Sequence, residues 1–191
     1  MNQNYFSIVN TDIVLEIYSR MLKRYGPQHW WPAESRFEVM VGAVLTQAAT
    51  WSNVEKAIHN LKSAQVLSPV GIRELDLVDL ARLVYPSGYY NSKARKLKAL
   101  AEYLGHRYDD DLDAMCKADF RSLRQDLMDV YGIGEETADD ILLYALNKPV
   151  FVIDEYTKRI VHRLNLVSGN GRYSDYQRMF TASLSQDTQL F

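Results

Sequence analysis

Apolar residues recur along the chain at the three- and four-residue spacing of amphipathic helices, and strand-like alternation does not compete at any length. Phe37, Met40, Val41 and Val44 form one such stripe, which predicts a buried helix that ends near Gln47. A later stripe predicts a second helix with one apolar side, made of Ala94, Leu97, Leu100, Ala101 and Leu104. The pattern as a whole predicts an all-α protein.

Two further helices are predicted on either side of a Gly-Ile-Gly turn. Leu123 and Leu127 lie at helical spacing, and their helix is expected to end at Gly132. After the turn, residues 135–147 resume a helical pattern. Gly132 and Gly134 can take backbone angles closed to other residues and let a partner approach the main chain. The N–H groups of the turn are therefore a candidate phosphate site, although Gly-x-Gly is also typical of a simple helix end.

One carboxylate is placed at the start of the helix that follows. Phe151, Val152 and Ile153 are apolar and deliver Asp154 to that position. A helix N-terminus favours the ionised form of a carboxylate. An aspartate that only caps the helix has the same local sequence.

Composition narrows the class of protein. The chain has 191 residues, of which 47% are hydrophobic, so one or two small domains with a real core are expected. Its one cysteine, Cys116, excludes an internal disulfide and a cysteine metal cluster within these residues. The net charge of −2 argues against bulk electrostatic DNA binding but not against a local basic face. Without a membrane-length apolar run or a signal peptide, we expect a cytoplasmic protein with no membrane partner.

Three separated segments resemble, in order, motifs of the endonuclease III superfamily of helix-hairpin-helix DNA glycosylases. Residues 44–50 (VLTQAAT) resemble the segment with a DNA-probing glutamine, and residues 87–94 (SGYYNSKA) resemble the wedge loop. Residues 130–138 (VYGIGEETA), followed by Asp154, resemble the hairpin and catalytic aspartate. The resemblance extends from about residue 36 to 165 and implies double-stranded DNA with a flipped damaged base as the partner of a monomer.

The resemblance implies a set of DNA contacts. Gln47 would fill the hole that a flipped base leaves, and Tyr89 would stack in the gap beside it. Lys93 starts a run of four basic residues in six positions, which would contact phosphates unless it is only a solvated face. The implied DNA-binding residues are Gln47, Tyr89, Asn91, Lys93, Gly132, Ile133 and Gly134.

One departure from the family pattern bears on the chemistry. Bifunctional members carry a lysine two residues after the second hairpin glycine, and Glu136 occupies that position here. A carboxylate cannot form an imine, so strand cleavage by that route is not expected. The remaining chemistry is hydrolysis of the base–sugar bond, in which Asp154 stabilises an oxocarbenium-like sugar or orients the attacking water. Glu136 is interpreted as an acidic residue of the helix's first turn.

Trp30 and Trp31 precede the first buried helix in a Trp-Trp-Pro run. This run resembles the 3-methyladenine glycosylase branch, which also lacks the hairpin lysine. The tryptophans would border the base pocket, where indole faces attract a cationic alkylated purine, or they simply seal the core. The expected function is therefore a monofunctional DNA N-glycosylase of base excision repair. An endonuclease III-like enzyme for oxidised pyrimidines, with a lyase residue elsewhere, and a non-catalytic DNA-binding module stay open.

The resemblance also implies two helical lobes with the active cleft between them. The expected lobes are residues 36–110 with the hairpin to 147, and residues 1–35 with 148–191. No cofactor is evident in the chain. Many family members have an iron–sulfur loop of four cysteines, which would lie beyond Phe191, and members normally continue with at least one more helix. The cluster therefore stays an alternative, tied to a chain that continues past this residue.

Overall fold

The computed structural model describes residues 10–167, 169–182, 184–188 and 190–191. These residues form helices and no strand, so the expected all-α class is confirmed. No helix among them is long and apolar enough to cross a membrane. The α-helices are α1 (Thr11–Tyr25), α2 (Arg36–Leu45), α3 (Trp51–Ser63), α4 (Pro69–Glu74), α5 (Leu77–Leu83), α6 (Tyr90–Tyr108), α7 (Leu112–Lys117), α8 (Phe120–Asp129), α9 (Glu135–Asp140), α10 (Glu155–Arg163) and α11 (Tyr173–Thr181).

The chain divides into two compact units. Residues 31–147 form one unit, which holds α2 to α9. In this unit every residue from Phe37 to Leu45 is buried, so α2 is a central helix of the core. The apolar side predicted for α6 is confirmed, because its five residues are at most 1% exposed. Residues before 31 and after 147 form the other unit, which holds α1, α10 and α11.

The second unit has its own core. Eight buried side chains make it up, from all three helices, the segments beside α10 and the segment after α11, namely Val14, Ile153, Val161, Val167, Tyr176, Met179, Phe180 and Leu184. Phe151 packs against this cluster and stacks on Phe180 with ring centroids 4.2 Å apart. The apolar run before Asp154 therefore anchors the start of α10.

The helices around the Gly-Ile-Gly turn differ in detail from the sequence prediction. Helix α8 ends at Asp129 rather than Gly132, because Val130 is already extended at the C-cap. After α9 the chain does not continue as a regular α-helix, since residues Ile141–Ala145 form a π-helical turn. Such a turn inserts an extra residue into the helix, and π-turns occur frequently at functional sites.

Candidate functional site

The Gly-Ile-Gly turn contains one glycine that the backbone requires and one that it does not. Gly132 has φ +82°, and a Cβ added there would lie 2.3 Å from Cγ of Lys96. Gly134 has φ −98°, and an added Cβ would meet nothing within 4 Å. Gly132 therefore shapes the turn, whereas Gly134 keeps its outer face open.

The side chain of Ile133 does not have the exposed position that a side-chain contact with DNA needs. Its side chain is 4% exposed, and its backbone N–H donates to the carbonyl oxygen of Val130 at 3.1 Å. Its apolar side chain therefore anchors the turn in the core, and a DNA contact at this residue stays a prediction that concerns its main chain alone.

A buried ion pair joins the two helices of the hairpin. Arg124 on α8 donates through Nε and a terminal nitrogen to both carboxylate oxygens of Asp139 on α9, at 2.7 and 3.0 Å. Asp139 is fully buried. A bidentate pair fixes direction as well as distance, so it holds the angle between α8 and α9. Sequence reasoning missed it, because a lone arginine and a lone aspartate give no periodic signal.

Gln47 is bonded to the hairpin. Its side-chain N–H₂ donates to the carbonyl oxygen of Gly132 at 3.1 Å and to the hydroxyl of Thr137 at 2.9 Å. Its side-chain oxygen accepts a hydrogen bond from the ammonium of Lys96. The next residue, Ala48, has φ +51°, a strained left-handed conformation for a non-glycine residue. The half-buried Gln47 is thus held at a sharp turn against the hairpin.

Tyr89 is an exposed aromatic at the N-terminus of α6. Its side chain is 75% exposed, and its backbone is left-handed with φ +46°. Tyr90 instead packs on Tyr85, with ring centroids 4.9 Å apart. Asn91 is also exposed, in the first turn of α6. A strained residue that presents an aromatic ring to solvent has the character expected of a wedge.

Lys93 lies inside the unit rather than on the DNA-binding surface that the sequence predicted. Its side chain is 1% exposed, and its ammonium donates to the carbonyl oxygens of Leu45 at 2.8 Å and Ser87 at 2.6 Å. Burial, together with the nearby charge of Lys96, lowers the pKa of Lys93 to about 8. The predicted phosphate contact is therefore wrong, since a buried ammonium cannot reach a phosphate.

Of the other basic residues of α6, Lys98 is bonded to the main chain and Arg95 is exposed to solvent. Lys98 donates to the carbonyl oxygens of Arg73 at 2.7 Å and of Leu75, where α4 ends. Arg95 is exposed, and its Nε donates back to the carbonyl oxygen of Asn91. The basic run is thus largely internal.

Asp154 caps α10. One carboxylate oxygen accepts the backbone N–H of Thr157 at 2.7 Å. Within the described part of the chain the other oxygen has no hydrogen-bond partner, and the residue is half-buried. The site therefore offers an oriented carboxylate oxygen at the start of α10.

Two residues of α11 hold the segment before Asp154. The hydroxyl of Tyr173 accepts the backbone N–H of Ile153 at 3.2 Å, and the side-chain amide of Gln177 donates to the carbonyl oxygen of Phe151 at 2.9 Å. Sequence reasoning missed both, since they lie some twenty residues further along. Their spacing of one helical turn places them together on one face of α11.

Trp31 belongs to an aromatic cluster in the unit of residues 31–147. Its ring lies 5.6 Å from that of Trp51 and 5.5 Å from that of Tyr144, measured between centroids. An added Cβ on Gly42 would lie 3.0 Å from its indole nitrogen, so α2 is packed closely against it. Trp30 is 48% exposed. The sequence did not indicate that Trp51 and Tyr144 belong to this cluster. Tyr144 lies in the π-helical turn.

Glu136 occupies the second position of α9 and is exposed. Together with Glu135 it makes the first turn of that helix acidic, which suits the positive end of the helix dipole. An iron–sulfur cluster does not fit the residues of this chain, because Cys116 is its one cysteine. The described residues also contain no group of three or more potential metal ligands.

Comparisons with known proteins agree on one family. Residues 41–185 match the HhH-GPD superfamily base excision DNA repair protein family. A "Putative DNA repair glycosylase" of Methanocaldococcus jannaschii is 41% identical over 182 residues, which cover 94% of this chain and 82% of that protein. Endonuclease III of Sulfolobus acidocaldarius is 28% identical over 155 residues, which cover 81% and 67%.

Solved structures share the fold. The H. pylori 3-methyladenine DNA glycosylase bound to 1,N6-ethenoadenine has a TM-score of 0.81 and 29% identity, and the match covers 94% of this chain and 90% of that chain. A trapped endonuclease III–DNA covalent intermediate also has a TM-score of 0.81, with 19% identity, and the match covers 95% and 82%.

Proposed function

The chain belongs to the HhH-GPD superfamily of base excision DNA repair proteins, and from that premise we propose a monofunctional DNA N-glycosylase that acts on alkylated purines. The family match and the 41% identical relative show that the chain is a DNA repair glycosylase of this superfamily. The reaction type and the substrate are what we propose.

Glu136 carries the monofunctional proposal. It occupies the hairpin position at which a lyase lysine is expected, in the first turn of α9. A lyase forms an imine between an amine and C1′ of the sugar, and a carboxylate has no nitrogen with which to do so. Lys96 of α6 lies against Gly132 of the hairpin turn, but its ammonium is bonded to the side chain of Gln47.

Asp154 supports hydrolysis in this proposal. As the base–sugar bond breaks, its electron pair leaves with the base and positive charge develops on the sugar. The carboxylate oxygen of Asp154 that does not cap α10 stabilises that charge, and water adds to C1′ with loss of a proton. The reaction needs water and the carboxylate. An alkylated purine that already carries positive charge needs little acid assistance to leave.

The substrate class is supported by two observations. The cluster of Trp31, Trp51 and Tyr144 offers aromatic faces, and aromatic faces attract cationic rings. The solved glycosylase with 29% identity is named for 3-methyladenine and binds 1,N6-ethenoadenine. We propose double-stranded DNA with the damaged base flipped out as the partner of a monomeric enzyme.

A second candidate is an endonuclease III-like glycosylase for oxidised pyrimidines. It is favoured by the relatives that carry the name endonuclease III, such as the one from Sulfolobus acidocaldarius. It differs from the first proposal in both substrate and strand cleavage. A DNA-binding module without catalysis would bind duplex and release no base.

The test uses duplexes with a single 1,N6-ethenoadenine, methylated duplex DNA, and duplexes with an oxidised pyrimidine. Wild-type protein is expected to release the modified purines, to leave the strand intact, and to give no covalent adduct with abasic DNA under borohydride. Glu136→Lys serves as the matched control, since it restores an amine at the hairpin position. A borohydride-trapped adduct of the wild type would overturn the monofunctional proposal, and release of oxidised pyrimidines alone would favour the second candidate.

A further inference from the structure

Two strained turns in the unit of residues 31–147 carry the predicted DNA probes. Gln47 lies in residues 46–48 and Tyr89 lies in residues 88–91, and we call these the two probe segments. Each contains a non-glycine residue in the left-handed region, Ala48 at φ +51° and Tyr89 at φ +46°. Such conformations persist where the surrounding structure holds them.

One buried ammonium serves both probe segments. Lys93 donates to the carbonyl oxygen of Leu45 at 2.8 Å and to that of Ser87 at 2.6 Å. Leu45 ends α2 two residues before Gln47, and Ser87 ends a short 3-10 turn two residues before Tyr89. The segments are 42 residues apart in sequence, counted from Gln47 to Tyr89, and meet at one side chain.

This arrangement is costly as a purely structural device. The Lys93 side chain is 1% exposed, and within the described residues its ammonium is bonded to carbonyl oxygens and to no carboxylate. Burying an ammonium without a counter-charge is unfavourable, and the lowered pKa of about 8 reflects that cost. Violations of ordinary burial rules concentrate at functional sites.

We infer that Lys93 is a positioning residue, which sets the two probe segments against each other so that Gln47 and Tyr89 act on the same step of the duplex. The inference deepens the proposed function and rests on it. Lys93 itself touches no DNA. It acts through the carbonyl groups of Leu45 and Ser87, which directly precede the two probe segments. Lys96, one turn further along α6, holds the side chain of Gln47.

Helix α6 supplies a matched control. Lys98 donates to two main-chain carbonyl oxygens in the same way, those of Arg73 and Leu75, but these lie at the end of α4 and adjoin neither probe segment. Lys93→Met and Lys98→Met thus each remove from α6 an ammonium that donates to two main-chain carbonyl oxygens. Circular dichroism and thermal unfolding give the folded fraction at which the variants are compared.

The first readout measures DNA binding and does not depend on base release. A duplex with a tetrahydrofuran abasic analogue opposite 2-aminopurine reports unstacking as a rise in fluorescence on protein binding. Wild type and Lys98→Met are expected to give the full rise, and Lys93→Met to lose most of it. The salt dependence of the dissociation constant is expected to be unchanged in Lys93→Met, whereas loss of a true phosphate contact would lower the slope by about 0.9.

The second readout is single-turnover release of 1,N6-ethenoadenine. Lys93→Met is expected to slow it roughly 10- to 100-fold, since displacement of positioning groups by about 1 Å has effects of that size. In the background of Gln47→Ala with Tyr89→Ala, the effect of Lys93→Met is expected to shrink, because the groups it positions are gone. If Lys93→Met does not fold, Lys93→Gln, which keeps one donor, is expected to show a smaller loss in both readouts.

The inference is overturned if Lys93→Met matches Lys98→Met in fluorescence at equal folded fraction, if its salt slope falls, or if wild-type protein gives no fluorescence rise. Absence of base release from every substrate would defeat the proposed function alone, because the fluorescence readout would still decide the role of Lys93.

Discussion

At the scale of single residues, Asp154 and Glu136 define the proposed chemistry. Asp154 uses one oxygen to cap α10 and leaves the other without a partner among the described residues, so capping and catalysis are compatible in one side chain. Glu136 favours the start of α9 electrostatically. Asp154 can support a developing cation on the sugar, and Glu136 cannot form an imine.

The two hairpin glycines are expected to respond differently to alanine. Gly132→Ala places a Cβ 2.3 Å from Cγ of Lys96 at φ +82°, so it should lower the free energy of unfolding by about 1–3 kcal/mol. Gly134→Ala meets open space and should leave stability unchanged, while it weakens duplex binding because the added methyl covers the open face of the turn. Urea unfolding and duplex titration measure the two effects. Equal loss of stability in both variants would contradict this account of the turn.

At the scale of single residues, the sequence did not predict which polar side chains are buried. The spacing of Asp154 from Glu136 and the exposed aromatic at Tyr89 could be recognised locally. The burial of Lys93 could not, since a lysine next to exposed polar residues is ordinarily solvated, and its acceptors lie on distant segments.

At the scale of elements, the hairpin depends on the contact between α8 and α9. The buried pair of Arg124 and Asp139 holds it, with donor–acceptor distances of 2.7 and 3.0 Å. The pair is therefore a polar constraint on the turn that we propose presents its main chain to DNA.

Removal of Asp139 is expected to be costly. Asp139→Ala leaves the guanidinium of Arg124 partly buried without its bidentate partner and should lower the free energy of unfolding by about 3–5 kcal/mol. Asp79→Ala breaks the exposed pair with Arg82 and should cost at most about 1 kcal/mol. Chemical denaturation of both variants checks this, and a similar small loss in each would show that the hairpin pair is not a constraint.

The elements themselves were largely accessible from the sequence, and their ends were not. Apolar spacing identified α2 and the apolar side of α6, because it records which face packs inward. The end of α8 at Asp129 and the π-helical turn after α9 depend on tertiary packing, which propensity and spacing do not encode. The turn matters because it carries Tyr144, a member of the aromatic cluster.

At the scale of the whole molecule, each unit carries a different part of the proposed reaction. The unit of residues 31–147 holds the hairpin, both probe segments and the aromatic cluster. The other unit holds Asp154 and the helix that fixes it. Three motifs in family order could be recognised from sequence, whereas Trp51, Tyr173 and Gln177 required the fold.

The stability of the whole protein should reflect the charge buried at Lys93. Unfolded chains keep this proton up to the ordinary pKa of 10.5, whereas the folded protein loses it at about 8. Between these pH values the unfolded state binds more protons, so this group makes the free energy of unfolding rise with pH, by about 3 kcal/mol in all. The difference in the free energy of unfolding between wild type and Lys93→Met, measured by chemical denaturation at several pH values, should change with pH by that amount. A difference that does not change with pH would contradict this expectation.

The central claim is tested most directly by release of free base from methylated duplex DNA, with wild type, Asp154→Asn and Asp76→Asn in parallel. Asp76 also caps a helix, accepting the N–H of Val78 at 2.8 Å, and asparagine preserves both caps. We predict release by wild type and Asp76→Asn with the strand intact, and a loss of roughly 100-fold or more in Asp154→Asn. Release by Asp154→Asn at the wild-type rate would contradict the assignment of Asp154 as the catalytic carboxylate.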